Sequence, residues 1–171
     1  MVTVRPERPD DVAAAGALNA AAFGSPAEAA VVDSLRSACP DAVSLVAVED
    51  DRILGHIFFT PACISGGHGV TRGMALGPVA VLPERQRQGI GASLIRAGIE
   101  AIRARNCPFI VVVGHPDYYP RFGFEPAPRR GLSCQWEGVP DEAFMVLILD
   151  NPAMAGVSGT ARYRNEFDEV M

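Results

Sequence analysis

The sequence predicts a single α+β domain in which strands and helices share one core. Apolar, β-rich runs at 43–49, 53–60, 75–82, 109–113 and 144–149 are separated by polar turns, as strands are. Between them lie stretches with helical spacing, the clearest from about Gly89 to Arg105. A chain of 171 residues is also long enough for one substantial core.

Val2 to Arg5 reads as a first strand, and Pro9-Asp10-Asp11 then starts a helix with acid in its first turn. Val12, Leu18 and Phe23 sit in it among alanines. Gly24-Ser25-Pro26 breaks that helix and opens a second, Ala27 to Ala38, with Val31, Val32 and Leu35 on one side. Cys39-Pro40 ends it. Val43 to Glu49 and Ile53 to Thr60, joined by Asp50-Asp51-Arg52, read as a hairpin. Ser65 to Gly69 reads as a loop before the strand Ala75 to Leu82. In the following helix Ser93, Arg96, Glu100 and Arg103 share one face, and Ile90, Leu94, Ile95, Ile99 and Ile102 fall largely on the other. Phe109 to Val113 is apolar throughout, as a strand buried on both faces would be. Phe144 to Leu149 reads as the last main strand. Residues 1–149 form the expected domain, and 150–171 a polar extension expected to pack on it, with Gly159 to Tyr163 as an added short strand.

The chemistry-bearing stretch is Arg85-Gln86-Arg87-Gln88-Gly89-Ile90-Gly91-Ala92-Ser93-Leu94. A glycine-rich turn at a helix start exposes unpaired N–H groups, and the helix dipole adds partial positive charge, so phosphate is favoured there. A Walker A loop needs a lysine, and all 15 basic residues of this chain are arginine. A dinucleotide fingerprint needs a third glycine and an acid about 20 positions on. Position 94 is Leu, and the next strand leads into Gly114-His115-Pro116.

Gln86-x-x-Gly89-x-Gly91, followed by Tyr118-Tyr119-Pro120-Arg121-Phe122-Gly123-Phe124, resembles the paired signatures of the GNAT N-acetyltransferases, with Tyr119 at the family's tyrosine position. The resemblance covers roughly residues 2–149. It implies a mostly antiparallel mixed sheet of about six or seven strands, splayed at a bulge and flanked by about four helices. It implies acetyl-CoA as co-substrate and direct acetyl transfer to a primary amine of a small molecule, peptide or protein. Backbone groups of Val79 and Val81 are implied to bind the pantetheine arm. The amides from Arg87 to Ala92 are implied to hold the pyrophosphate, within a cofactor-binding stretch of Gln86, Arg87, Gln88, Gly89, Ile90, Gly91, Ala92 and Ser93. Tyr119 and Phe122 would complete the cofactor contacts. Val79 N–H would stabilise the thioester oxygen, and the Tyr119 hydroxyl would protonate the leaving thiolate. Gly77-Pro78 fits the bulge, because proline cannot donate to a ladder.

Two departures stand out. The strand Ala75 to Leu82 has no acid where many relatives carry a glutamate, which leaves Glu28, His56, His68, His115 or a water as the general base, with His115 favoured by its place after the central strand. Gly114-His115-Pro116-Asp117 replaces the family's usual asparagine segment before the tyrosine. A CoA-binding module without turnover is the alternative function.

Net charge of −5 argues against nucleic acid as a partner and suits a cationic acceptor. No apolar run reaches the roughly 18 residues of a membrane span, and no signal-peptide core is evident, so a cytoplasmic location is expected. Cys39, Cys63, Cys107 and Cys134 lack metal-ligand spacing. Cys63 and Cys107 are expected to be buried, and Cys134 to be a core or lining residue. The extension after Asn151 is a candidate homodimer contact.

Overall fold

The computed structural model describes all residues, Met1 to Met171. Four helices accompany nine strands, whose ladder order is β1-β2-β3-β4-β5-β8-β6 with β9 paired to β3 and β7. The chain divides into two compact units, the first comprising 1–60, 77–101 and 166–171 and the second 61–76 and 102–165.

In the first unit, β1 (Thr3–Pro6) and β2 (Val43–Glu49) pair antiparallel, and β2 pairs antiparallel with β3 (Arg52–Gly66). Asp50 and Asp51 make the turn at positive φ, a conformation that Asp tolerates better than most residues. Helices α1 (Val12–Phe23) and α2 (Ala27–Ala38) are separated by Gly24, whose φ of 69° ends α1 in the left-handed region. They cover the face of β3 that carries His56 and Phe58: Asn19 of α1 bonds His56, and Arg36 of α2 lies over the Phe58 ring. The opposite face meets α3 (Ile90–Arg103). Phe59 fills the space that a side chain at Gly98 would need, and Leu94 and Ile90 pack over Gly55. A second apolar cluster joins Leu18, Val46, Val48, Ile53 and Ala80. Each fully buried Phe or Leu contributes roughly 1.5–3 kcal/mol of burial free energy.

In the second unit, β4 (Gly69–Val81) enters beside β5 (Phe109–Val113), pairing in parallel only at Met74 with Ile110 and Ala75 with Val111. The pairing stops short of Gly77-Pro78, where an interruption is expected because proline has no N–H to give. β5 pairs along its length with β8 (Phe144–Ile148), which also takes β6 (Glu125–Pro126). β7 (Leu132–Cys134) pairs with β9 (Gly159–Arg162), and β9 with the far end of β3. Phe109, Val111, Phe144, Val146 and Ile64 lead the core here. The short helix α4 (Asn151–Met154) is capped by Asp150, which accepts the Ala153 N–H at 3.0 Å.

The α+β class and the helix boundaries are as the sequence predicts, and the differences have local causes. The added short strand expected at Gly159 to Tyr163 is β9, and strand number rises from six or seven to nine because β6 and β7 are two and three residues long, too short for a periodicity to show. β3 does not end at Thr60 but runs on to Gly66, and the 65–69 loop shrinks to a turn at Gly67-His68. Gly66 and Gly159 make this possible: a Cβ on either would collide with backbone of the facing segment, at Ser158 and Ser65 respectively. Cys63 and Cys107 are half-buried rather than buried, and Cys134 is half-buried as well. Burial pushes the Cys107 and Cys134 thiols up, which leaves them poor nucleophiles.

Candidate functional site

Leu82 ends β4 by donating its N–H to Leu54 O at 2.9 Å, and a 3-10 turn at Pro83–Arg85 leads into the glycine-rich loop. Gly89 has φ +83° and Arg87 φ +60°, so two residues of the loop take the left-handed conformation before α3 begins. The first helical bond runs from Ser93 N–H to Gly89 O at 3.0 Å. The amides of Ile90, Gly91 and Ala92 therefore have no acceptor within the helix, and they stand at the positive end of a fourteen-residue dipole. Gln86, Arg87, Gln88, Gly89 and Ser93 are exposed. The arrangement can hold an anion on backbone N–H groups.

The loop is braced by its own side chains. Gln86 Nε2 donates to Val81 O at 3.2 Å, tying the loop to the end of β4. That carbonyl keeps a second lone pair for another donor. Arg85 Nη2 meets Glu49 Oε2 at 2.9 Å, and Arg85 Nε donates to Gln88 Oε1 at 3.0 Å. Arg52 pairs with Glu84 at 2.7 Å across exposed surface. Ser93 Oγ is turned back onto Gly89 O. Val79 and Val81 are half-buried on β4 on either side of the buried Ala80.

In the second unit, a 3-10 turn spans Tyr119–Phe122, with Pro120 in its first turn and Gly123 at φ +97° closing it. Tyr119 is 7% exposed, its ring edge-on to Tyr118 at 5.3 Å and to Phe124 at 5.7 Å. Gly114 gives it room, since a Cβ there would overlap the Tyr119 ring. Burial, and then the neighbouring Tyr118 hydroxyl, push the Tyr119 phenol well above the ordinary tyrosine range, so it stays protonated. Tyr118 is half-buried, with Arg121 stacked 4.6 Å over its ring and Phe122 edge-on at 5.4 Å. His115 is exposed at the end of β5, and its carbonyl accepts the Tyr118 N–H at 3.1 Å. Gly114, Tyr118, Tyr119 and Phe122 are thus brought together, and His115 flanks them on the same turn.

The remaining base candidates lie elsewhere. His68 is exposed in the β3–β4 turn. His56 has no exposed surface and is closed into a chain of hydrogen bonds. Asn19 Nδ2 donates to Ala15 O and to His56 Nδ1, both at 2.9 Å. The other ring nitrogen, Nε2, then carries the proton and donates to Ser44 Oγ at 2.9 Å, and Ser44 donates to Glu7 Oε2 at 2.9 Å. Arg36 completes the chain on both Glu7 oxygens, at 2.6 and 3.0 Å. Burial holds the His56 pKa down to about 4. Neutral, enclosed and bonded at both nitrogens, His56 has no lone pair to offer a substrate. Glu28, in the first turn of α2, is half-buried.

A family model for the acetyltransferase (GNAT) domain matches residues 3–127. The chain belongs to the GNAT acetyltransferase family. It is 34% identical over 166 residues to the uncharacterized N-acetyltransferase YhbS of Escherichia coli strain K12, covering 96% of this chain and 98% of that one. It is 43% identical over 125 residues to the uncharacterized N-acetyltransferase YjhQ of the same strain, covering 71% and 68%. The crystal structure of E. coli YhbS in complex with CoA matches with a TM-score of 0.90 at 30% identity, over 99% of this chain and 93% of that one. A GNAT acetyltransferase from Brucella melitensis in complex with acetyl-CoA matches with a TM-score of 0.79 at 35% identity, over 98% and 99%.

As a GNAT protein the chain is an acyltransferase, and its own features are those that no motif announces. The Glu7–Ser44–His56–Asn19 chain and the Glu49–Arg85 pair join residues 12 to 37 positions apart. Neither has a local signature, so a single sequence carried no signal for them. No helix is long and apolar enough to cross a membrane, and no cluster of side chains suits a metal ion.

Proposed function

We propose that this GNAT protein transfers the acetyl group of acetyl-CoA directly to a primary amine of a small molecule, peptide or protein. The observation that carries the reading is the loop ahead of α3. It presents unpaired amides behind Gly89, in a chain whose relatives of known structure hold CoA and acetyl-CoA.

In this reading the amides from Arg87 to Ala92 take the pyrophosphate, and Gln86 fixes the loop rather than the ligand. Backbone groups of Val79 and Val81 take the pantetheine arm. Val79 N–H faces the thioester oxygen where negative charge develops. The amine nitrogen, once deprotonated, forms the new C–N bond as the C–S bond breaks. The Tyr119 hydroxyl donates a proton to the departing thiolate, and the proton released by the amine restores the balance. Burial keeps the phenol protonated, the state that a donor must start from. His115, His68 and Glu28 remain the side chains able to meet the amine, directly or through water, because His56 alone is enclosed.

The absence of an acid on β4 favours, as the second reading, a CoA-binding module without turnover. Thiol release from acetyl-CoA across a panel of primary amines separates the two. Amine-dependent CoA release is the expected result. Tight CoA binding with no release for any amine would favour the second reading.

A further inference from the structure

The donor role of Tyr119 meets a mismatch in acidity. A cysteine-like thiol such as that of CoA ionises near about 8.5, and proton transfer is most efficient between groups of similar pKa. The Tyr119 phenol is held well above the ordinary tyrosine range, by burial first and then by Tyr118. Left alone, it is a weak acid toward the departing sulfur. Phe124, against its ring, is apolar and offers the phenol oxygen nothing. A donor that steadies negative charge on that oxygen would close the gap.

Such a donor lies in the same unit, and the end of β5 is where the parts meet. The Tyr119 ring lies on Gly114, and Gly114 donates its N–H to Ala143 O at 3.0 Å. Ala143 closes the segment that leads from β7 through Gln135 and Trp136 into β8, whose Phe144 pairs with Val113. Val113, Cys134 and Tyr163 pack against one core cluster. Tyr163 follows β9, which runs parallel to β7 with Ala161 beside Cys134. Its ring lies on Trp136, with centroids 4.6 Å apart, and its N–H donates to Gln135 Oε1 at 2.6 Å. The Tyr163 hydroxyl oxygen is closed to solvent. Burial pushes this phenol up, and negative charge on Cys134 or on Tyr119 pushes it up further. The effect of one charge on another falls with distance, so the two phenols are near neighbours. Tyr163 therefore keeps its proton when Tyr119 gives one up.

We propose that Tyr163 is a positioning residue for acetyl transfer, a deepening that rests on the acetyltransferase reading. Its hydroxyl, directly or through one water, donates to the Tyr119 oxygen as the proton leaves. The Tyr119 O–H bond breaks as the S–H bond forms, and Tyr163 keeps its own proton throughout. The proton released by the amine then returns to Tyr119. The C-terminal extension thus adds to the site a residue that lies beyond positions 3–127, the span of the family model.

The test reads the acidity of the bound CoA thiol from its thiolate absorbance, against the same protein holding desulfo-CoA, and needs no acceptor. Wild type, Tyr163→Phe, Tyr119→Phe and the double variant are titrated with CoA bound, beside their CoA affinities and melting temperatures. A hydrogen-bond donor at the sulfur favours the thiolate. Tyr163→Phe, which keeps the ring on Trp136, should raise the thiol pKa by about 0.4–1, the worth of one neutral hydrogen bond. Tyr119→Phe should raise it more. Added to Tyr119→Phe, Tyr163→Phe should change nothing further, whereas a purely structural loss would add. A 3-fluorotyrosine in place of Tyr163, a stronger donor of nearly the same shape, should lower the thiol pKa. An unchanged value with either replacement, or an equal further rise in the Tyr119→Phe background, would overturn the proposal alone. No CoA binding by well-folded wild type would overturn the acetyltransferase reading, and the proposal with it.

Discussion

Arg85 Nη2 lies 2.9 Å from Glu49 Oε2, so the end of β2 holds the loop that opens α3. The guanidinium, first through its hydrogen bond, keeps the Glu49 carboxyl below the usual carboxylate range. A second Arg85 nitrogen fixes Gln88, so one side chain sets the position of the residues before Gly89. Glu49→Gln should weaken acetyl-CoA binding by about three- to tenfold and leave kcat at saturating acetyl-CoA unchanged, because the pair positions the loop without touching the reacting atoms. High salt should shrink the difference, as this pair is partly solvated. An unchanged affinity in Glu49→Gln would show that the loop keeps its shape without the brace.

Tyr119 and Tyr118 are adjacent in sequence and differ in burial, which separates their expected roles. Tyr119→Phe should lower kcat by roughly 10²–10⁴ with little effect on acetyl-CoA affinity, whereas Tyr118→Phe should be far milder. Because the Tyr119 phenol is held above its usual range, kcat should show no alkaline fall from its ionisation below about pH 10. Full activity in Tyr119→Phe would end the proton-donor assignment.

Gly114 offers a way to move Tyr119 without changing its chemistry. A methyl group at this position overlaps the Tyr119 ring, and Tyr119 is enclosed by Tyr118 and Phe124 on other sides. Gly114→Ala should lower kcat at least about tenfold and reduce stability by roughly 1–3 kcal/mol, the range for overpacking. Thermal melting read beside steady-state kinetics checks both, and wild-type kcat in a destabilised variant would detach the ring's position from catalysis.

The enclosed His56 gives stability a definite pH dependence. Its folded pKa, about 4, is below the ordinary value of 6.5, so the unfolded chain binds more protons between those limits. Its contribution is complete above pH 6.5 and is lost as pH falls toward 4, on the order of 3 kcal/mol in all. Protonation would also set an N–H against the Asn19 amide that now donates to Nδ1. Denaturant titrations at pH 7.5, 6, 5 and 4 should show this decline, and His56→Gln should flatten it.

What the sequence made legible follows from how local each signal is. Helix α3, with its isoleucines on one face, and α2, bounded by Pro26 and Cys39-Pro40, were readable because a dozen residues repeat one spacing. The loop at 85–92 and the Tyr119 turn were readable as contiguous motifs. β9 was readable as the short run from Gly159, whereas β6 and β7 were too short to show a period, and only pairing with distant partners makes them strands. The length of β3 was hidden by Pro61 and two glycines, which read as a stop until Gly66 is seen making room for Ser158. The fate of His56 depended on Asn19 and Ser44, thirty-seven and twelve positions away, and no local pattern distinguishes an enclosed histidine from a catalytic one.

The most direct measurement is calorimetric titration of the purified protein with acetyl-CoA, CoA and ATP, in wild type and in Gly89→Val. Gly89 sits at φ +83°, where a β-branched residue is strained, so the variant must reshape the amides that open α3. Micromolar acetyl-CoA binding by wild type, weakened at least about tenfold in Gly89→Val, is the result this account predicts. No binding of acetyl-CoA or CoA by well-folded wild type would contradict it.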